Sequence, residues 1–138
     1  MRDLLKERGY KATPARIEIL KILENVQKPL SVEQISHELK KKSVLMNEAT
    51  IYRTLTSFEE GGLLRKIDMR KDSSYFEFND YHHHHIVCKK CDRIEDFESR
   101  EIEKALARIV DSSSLFKRIS EHSLELFGLC TKCESGRI

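Results

Sequence analysis

The sequence predicts an α+β protein in two parts, a helical N-terminal part over residues 1–74 and a metal-fastened strand-and-helix part over residues 75–138. Three observations lead there. Apolar residues recur at helical spacing up to Phe58, two short strand-like runs follow, and all four cysteines with five of the six histidines lie beyond residue 80. A chain of 138 residues has room for one domain or two small ones. Its charge divides at the same place: residues 1–74 hold 15 Lys and Arg against 11 Asp and Glu, and the remainder 10 against 12. No apolar run approaches the ~20 residues that cross a bilayer. The charged opening Met1-Arg2-Asp3-Leu4-Leu5-Lys6 lacks the apolar core of a signal peptide. A soluble, cytoplasmic protein is expected. With no Trp, 6 Phe and 4 Tyr, the core is modest and extra fastening is needed.

The first helix of the periodic region starts at Thr13-Pro14, where Thr caps free N–H groups and Pro suits the first turn. Ile17, Leu20, Leu23 and Val26 form its stripe, and Lys28-Pro29 stops it. Ser31-Val32-Glu33-Gln34 reads as a capping box for a second helix through Ile35 and Leu39. The closing Lys40-Lys41-Lys42 is either a solvated, dipole-favoured helix end or a phosphate clamp. Asn47 caps a third helix, with Ile51, Leu55 and Phe58 inward and Gly61-Gly62 ending it. Its other face carries Thr50, Arg53, Thr54 and Ser57, with Tyr52 alongside. Little bulk, a guanine-matching fork and methyl contacts are what entry into a major groove requires. Leu63–Ile67 and Tyr75–Phe78 read as strands joined by the polar segment 68–74. Helices followed by a basic-tipped hairpin resemble a winged helix-turn-helix, although many three-helix domains bind proteins instead.

In the second part, Cys88-Lys89-Lys90-Cys91 and Cys130-Thr131-Lys132-Cys133 are CxxC pairs separated by 38 residues. Each tight turn aims two thiolates at one ion, and two pairs complete a tetrahedral shell. A reducing compartment disfavours disulfides, and a redox CxxC explains one pair but not both. The reading is a structural Zn²⁺. Just before the first pair stands His82-His83-His84-His85. If this run is extended, its side chains alternate, so that His83 and His85 face one way and His82 and His84 the other. One strand can then serve two ions. Glu77 and Asp96 are candidates for further ligands, whereas Glu103 and His122, taken singly, read as surface or satisfied-core residues. Asp96 lies in a strand 93–97 that pairs with 85–88, and Glu103 flanks the stripe Ile102, Ala105, Leu106, Ile109 and Val110 of a helix capped by Ser99. A last, partly alternating strand runs from Phe116 to Leu129 and carries His122.

Four ordered motifs carry a resemblance: Gly9-Tyr10-Lys11-Ala12-Thr13-Pro14-Ala15-Arg16, Ala49-Thr50-Ile51-Tyr52-Arg53-Thr54-Leu55, the segment from His82 through Cys91, and Phe127-Gly128-Leu129-Cys130-Thr131-Lys132-Cys133. Together they resemble the ferric uptake regulator (Fur) family of metal-responsive bacterial repressors, over nearly the whole chain. The resemblance implies an N-terminal winged helix and a C-terminal α/β dimerisation domain with a structural zinc on the four cysteines. It implies base contacts from Tyr52 and Arg53, with Thr50 on the same face, and backbone or minor-groove contacts from Lys11 and Arg16. Glu77, His83, His85 and Asp96 correspond to a regulatory site for Fe²⁺, Mn²⁺ or Zn²⁺, and His82, His84, Glu103 and His122 to a second site. The implied partners are double-stranded operator DNA and a second copy of the chain, with no membrane and no small-molecule substrate.

Two departures stand out. Family members usually add a His from the loop before the second periodic helix, where this chain has Gln27-Lys28-Pro29-Leu30-Ser31. That absence, with Arg53, also speaks against a peroxide sensor. His84 stands where many members have Asp, which makes the second site richer in nitrogen and better suited to Zn²⁺ than Mn²⁺. The alternatives are a zinc-uptake or peroxide-responsive member, or a zinc-stabilised DNA-binding module that senses nothing. Catalysis is not expected. Val87 and Leu129 precede the CxxC pairs where a zinc deaminase needs Pro, and four thiolates close the shell that a hydrolytic zinc leaves open.

Overall fold

The computed structural model describes residues 1–136; the last two residues of the expected second domain lie outside the described residues. The chain forms two compact units, Met1–Tyr81 and His82–Ile138. The boundary expected at residue 75 therefore falls too early. The composition changes there, but the second strand of the hairpin is hydrogen-bonded to the first and belongs with it.

The first unit opens with a short helix, α1 (Arg2–Glu7), which the sequence reading did not identify and which buries Leu5. Next come α2 (Pro14–Val26), β1 (Leu30–Ser31), α3 (Val32–Lys41), α4 (Glu48–Glu60), β2 (Leu64–Ile67) and β3 (Tyr75–Phe78). The helix starts follow the expected caps. Thr13 accepts from the Arg16 N–H, Asn47 Oδ1 accepts from the Thr50 N–H at 2.8 Å, and Ser31 and Gln34 complete a reciprocal capping box. Helix α2 ends on Gln27 in a left-handed conformation (φ 54°), just before Lys28-Pro29 prevents further helix. Gly62 takes φ +74° after α4, where a side chain would be strained.

Strand β3 lies between β1 and β2, antiparallel to both. The two-residue β1 was not foreseen: Leu30 pairs with Phe76 just before Ser31 caps α3. In the hairpin turn, Asp68 accepts from the Arg70 N–H at 2.8 Å, stabilising Arg70 at φ 52°. The core gathers the inward stripes of α2, α3 and α4 with Leu64 and Phe76 of the hairpin, and Phe58 and Ile51 are fully buried. Thr54, expected on the outer face of α4, is instead buried, and its hydroxyl donates to the Thr50 carbonyl at 2.9 Å. A short side chain that satisfies its own polar group can turn inward.

The second unit contains β4 (His84–Cys88), β5 (Ile94–Phe97), α5 (Arg100–Asp111), β6 (Glu125–Gly128) and α6 (Thr131–Glu134). As expected, β4 and β5 form a hairpin across the first CxxC turn, with His85 opposite Asp96. Strand β6 runs parallel to β4 on its other side, pairing Cys88 with Gly128. The strand expected from Phe116 is thus confined to its last third, and His122 stands before it, outside any regular element. Parallel pairing with β4 requires only the residues that lead into the second CxxC. Helix α5 is capped by Ser99 as expected, yet none of its residues is buried: Ile102, Leu106 and Val110 are half-covered, Ala105 is exposed, and Ile109 is 64% exposed. The apolar stripe is real, but among the described residues it is only half covered.

Truncating the most central aromatic of the first unit tests this account. Phe58→Ala should lower stability by about 3–5 kcal/mol in denaturant unfolding, whereas Leu45→Ala, at a side chain 91% exposed, should change it by less than about 0.5 kcal/mol.

Candidate metal centres and nucleic-acid interface

The β4–β5 hairpin and the β6–α6 junction bring the four cysteines together. Their sulfurs lie within 4.8 Å of one another, and none is in a disulfide. Cys91 Sγ and Cys130 Sγ are 3.7 Å apart. Tetrahedral Zn–S bonds of ~2.3 Å require sulfurs about 3.8 Å apart, so the cluster has the size of a zinc shell. The knuckle is shaped by its backbone. The Cys88 N–H donates to the Arg93 carbonyl at 2.8 Å, the Asp92 N–H returns to the Cys88 carbonyl at 2.9 Å, and Asp92 takes φ 60°.

Backbone N–H groups of Cys130 and Cys91 point at Cys88 Sγ and lower its thiol to about 6. The Cys130 thiol is also lowered, chiefly by the Cys133 backbone. Burial pushes Cys133 up to about 12. An anion at Cys133 therefore needs a cation beside it, and a bound metal supplies one.

The four histidines divide into two pairs along one extended segment. His82 and His84 have ring centroids 4.7 Å apart, as do His82 and His122. Glu103 Oε1 lies 2.9 Å from Nε2 of both His82 and His84, and 3.6 Å from Nε2 of His122. Hydrogen bonds from His84 and His82 hold the Glu103 carboxyl below its usual range. His122 Nε2 is buried with no hydrogen-bond partner, an orphaned lone pair or N–H that a shared cation would satisfy. Three imidazoles and one carboxylate converge here, a donor set that suits Zn²⁺. Helix α5 contributes Glu103 from its first turn, and the irregular segment before β6 contributes His122.

The other pair, His83 and His85, has centroids 4.8 Å apart, and both rings are buried. Asp96, opposite His85 on β5, places its two oxygens 3.9 Å from His83 Nε2 and 3.6 Å from His85 Nε2. Glu77 belongs to the first unit. Its Oε1 accepts a 2.6 Å hydrogen bond from Arg65 Nε, its cross-strand neighbour on β2. The sequence reading missed this half-buried ion pair, although the hairpin register alone sets Arg65 against Glu77.

On α4, Tyr52 is 41% exposed and packs edge-on against Phe76, while Arg53 is exposed beside Thr50. Lys11 is exposed, and Arg16 donates to the Lys11 carbonyl at 3.1 Å. A cleft of ≈ 590 Å³ opens between Tyr52, Arg53 and the hairpin tip at Asp72–Ser74, and Glu33 and Glu48 also line it. Those carboxylates were not singled out from sequence, because acidic residues in a first helical turn read as ordinary dipole partners. Their repulsion of phosphate restricts where a backbone can approach.

Two substitutions should separate the metal centres. Cys133→Ser should abolish zinc retention by elemental analysis and leave the second unit open to proteolysis. Glu103→Ala should lower the metal content by one ion per chain while the four-cysteine zinc survives a chelator challenge.

Residues 7–127 match the ferric uptake regulator family. The ferric uptake regulation protein of Neisseria meningitidis is 35% identical over 133 residues, covering 95% of this chain and 91% of that protein. Among solved structures, the ferric uptake regulator from Francisella tularensis with iron has a TM-score of 0.81 at 35% identity, covering 91% of this chain and 96% of that one. The Helicobacter pylori ferric uptake regulator, described as having three functional metal binding sites, has a TM-score of 0.82 at 26% identity, covering 96% and 88%. A winged-helix first unit, a four-cysteine cluster and a match across nearly the whole length make this chain a member of the ferric uptake regulator family of metal-dependent transcriptional regulators, not an enzyme.

Proposed function

We propose that the chain represses transcription as a homodimer that binds double-stranded operator DNA when a regulatory cation is present. The observation that carries this reading is the division of residues 82–85 into two imidazole pairs, one of them buried and facing the exposed Asp96. In this reading Cys88, Cys91, Cys130 and Cys133 hold a permanent Zn²⁺, and His82, His84, Glu103 and His122 hold a second ion that rigidifies the C-terminal unit. Fe²⁺, Mn²⁺ or Zn²⁺ binds His83, His85 and Asp96 together with Glu77. In this reading the cation shifts the equilibrium toward the DNA-binding form only by its differential affinity for that form. About 2–3 kcal/mol of it corresponds to a ~30–150-fold change in DNA affinity.

The segment where many relatives carry an additional His is here occupied by core structure. Leu30 is buried and paired with Phe76, and the Ser31 hydroxyl is engaged as a cap. Glu77 is then the first unit's own contribution to the switch. Dimerisation is supported by the exposed Ile109 of α5 and the exposed Ile86 and Leu126 of β4 and β6. Two recognition helices related by a two-fold axis read half-sites about one helical turn apart, so the operator is expected to be palindromic and AT-rich. Tyr52 and Arg53 would meet the bases, and Lys11 and Arg16 the backbone or minor groove. Among the described residues, no helix is long and apolar enough to cross a membrane. We place the protein in the cytoplasm with its DNA.

The test is a titration of an AT-rich palindromic duplex with metal-free protein and with protein given Fe²⁺, Mn²⁺ or Zn²⁺. Tight binding of two chains per duplex is expected only with the activating metal. His83→Ala with His85→Ala should remove the metal dependence while zinc stays on the four cysteines. Equal affinity with and without metal would defeat the switch and leave a zinc-stabilised DNA-binding module.

A further inference from the structure

Tyr10 stands in the irregular segment between α1 and α2 and reaches across the first unit to the recognition helix. Its hydroxyl donates a 2.6 Å hydrogen bond to the Ser57 carbonyl, 47 residues away, in the last turn of α4. The ring packs edge-on against Phe58, with centroids 5.0 Å apart and planes at 86°. Gly61 makes this possible. It has an ordinary φ of −81°, so no backbone requirement calls for glycine there, but a Cβ at that position would overlap the Tyr10 hydroxyl. The missing side chain leaves space for a specific partner.

On its other side, Tyr10 is tied to the basic arm. The Arg16 guanidinium lies 5.9 Å from the Tyr10 ring centroid, within cation–π range. The same guanidinium donates to the Lys11 carbonyl, which also accepts the Thr13 N–H at 3.0 Å. The Tyr10 N–H donates to the Leu5 carbonyl at 2.8 Å. Backbone at Lys11 is thus fixed by Arg16 and Thr13, and the side chain before it is pinned to α4.

We infer that Tyr10 is a positioning residue for DNA recognition: its bond to the last turn of α4 holds the arm carrying Lys11 and Arg16 in fixed register with Tyr52 and Arg53. The inference rests on the DNA-binding reading above. A phosphate contact and a base contact strengthen each other only when their spacing matches the duplex, and otherwise ordering the arm costs entropy on binding. An untethered arm would leave Lys11 to be ordered by the DNA itself.

The experiment measures binding of a labelled AT-rich palindromic duplex across a range of salt concentrations, with the dimer loaded with whichever of Fe²⁺, Mn²⁺ or Zn²⁺ gives the tightest wild-type complex. Tyr10→Phe keeps the ring on Phe58 and removes only the hydroxyl. Gly61→Ala expels the hydroxyl by a different route. Both should keep a wild-type circular dichroism spectrum and metal content, yet bind roughly three- to tenfold more weakly, the scale of one lost hydrogen bond. Their salt dependence should be shallower by about one phosphate contact, as for Lys11→Gln. Tyr10→Phe combined with Lys11→Gln should lose less than the sum of the two single losses, because part of the tether's effect passes through Lys11. Wild-type affinity and slope in both hydroxyl-removing variants would overturn the role while leaving the DNA-binding reading intact. So would losses that add fully in the double variant. Wild-type protein that binds no duplex with any metal would remove the DNA-binding reading itself, and this role with it.

Discussion

The second unit has almost no core, and the rest of its structure answers to that fact. Among its described residues, the buried apolar side chains are Val87, Cys88 and Cys133, and two of those are thiols. A three-stranded sheet with one half-covered helix cannot offset the conformational entropy of some fifty residues by burial alone. The four-sulfur cluster closes the gap by fastening the β4–β5 turn to the segment after β6. Because β6 pairs in parallel with β4, its end arrives beside the first CxxC turn without a further crossover. Metal binding and folding of this unit are in that sense one equilibrium.

A second constraint is the two-residue period of a strand. Four consecutive histidines on a helix would scatter around its surface. On an extended segment they divide into two pairs, one toward Glu103 and His122, the other toward Asp96. Each pair is then completed from a different source: a helix and an irregular loop on one side, the neighbouring strand on the other. Mutual ring contacts under 5 Å and a carboxylate shared between imidazoles are costly unless a proton or a cation sits among them. This alternation lets so short a run offer two separate donor groups, neither of which borrows the other's histidines.

The first unit is the opposite case, with a dense core and its polar groups arranged around it. Ile51, Leu55 and Phe58 anchor α4 in the core and leave Tyr52 and Arg53 on its exposed side. The half-buried Arg65–Glu77 pair crosses the hairpin within that frame. A carboxylate already oriented by a guanidinium loses less entropy when it takes up a further cation, although the arginine's charge opposes that cation.

Much of this architecture was legible from residue order. Thr13, Ser31, Asn47 and Ser99 each cap a helix as read, because capping depends on a few adjacent atoms. The hairpin of β4 and β5 and the alternation of the histidines are likewise local. Beyond the meeting of the two CxxC pairs, relations between distant segments were mostly not legible. Residue order did not show that Thr54 turns inward, that Leu30 and Ser31 add a strand to the wing, or that the segment before β6 is irregular. The parallel β4–β6 pairing and the reach of Tyr10 to Ser57 also required the folded chain. Caps and periods are written in neighbours a few residues apart. Which polar group meets which across tens of residues is decided only when the core packs and fixes the distances.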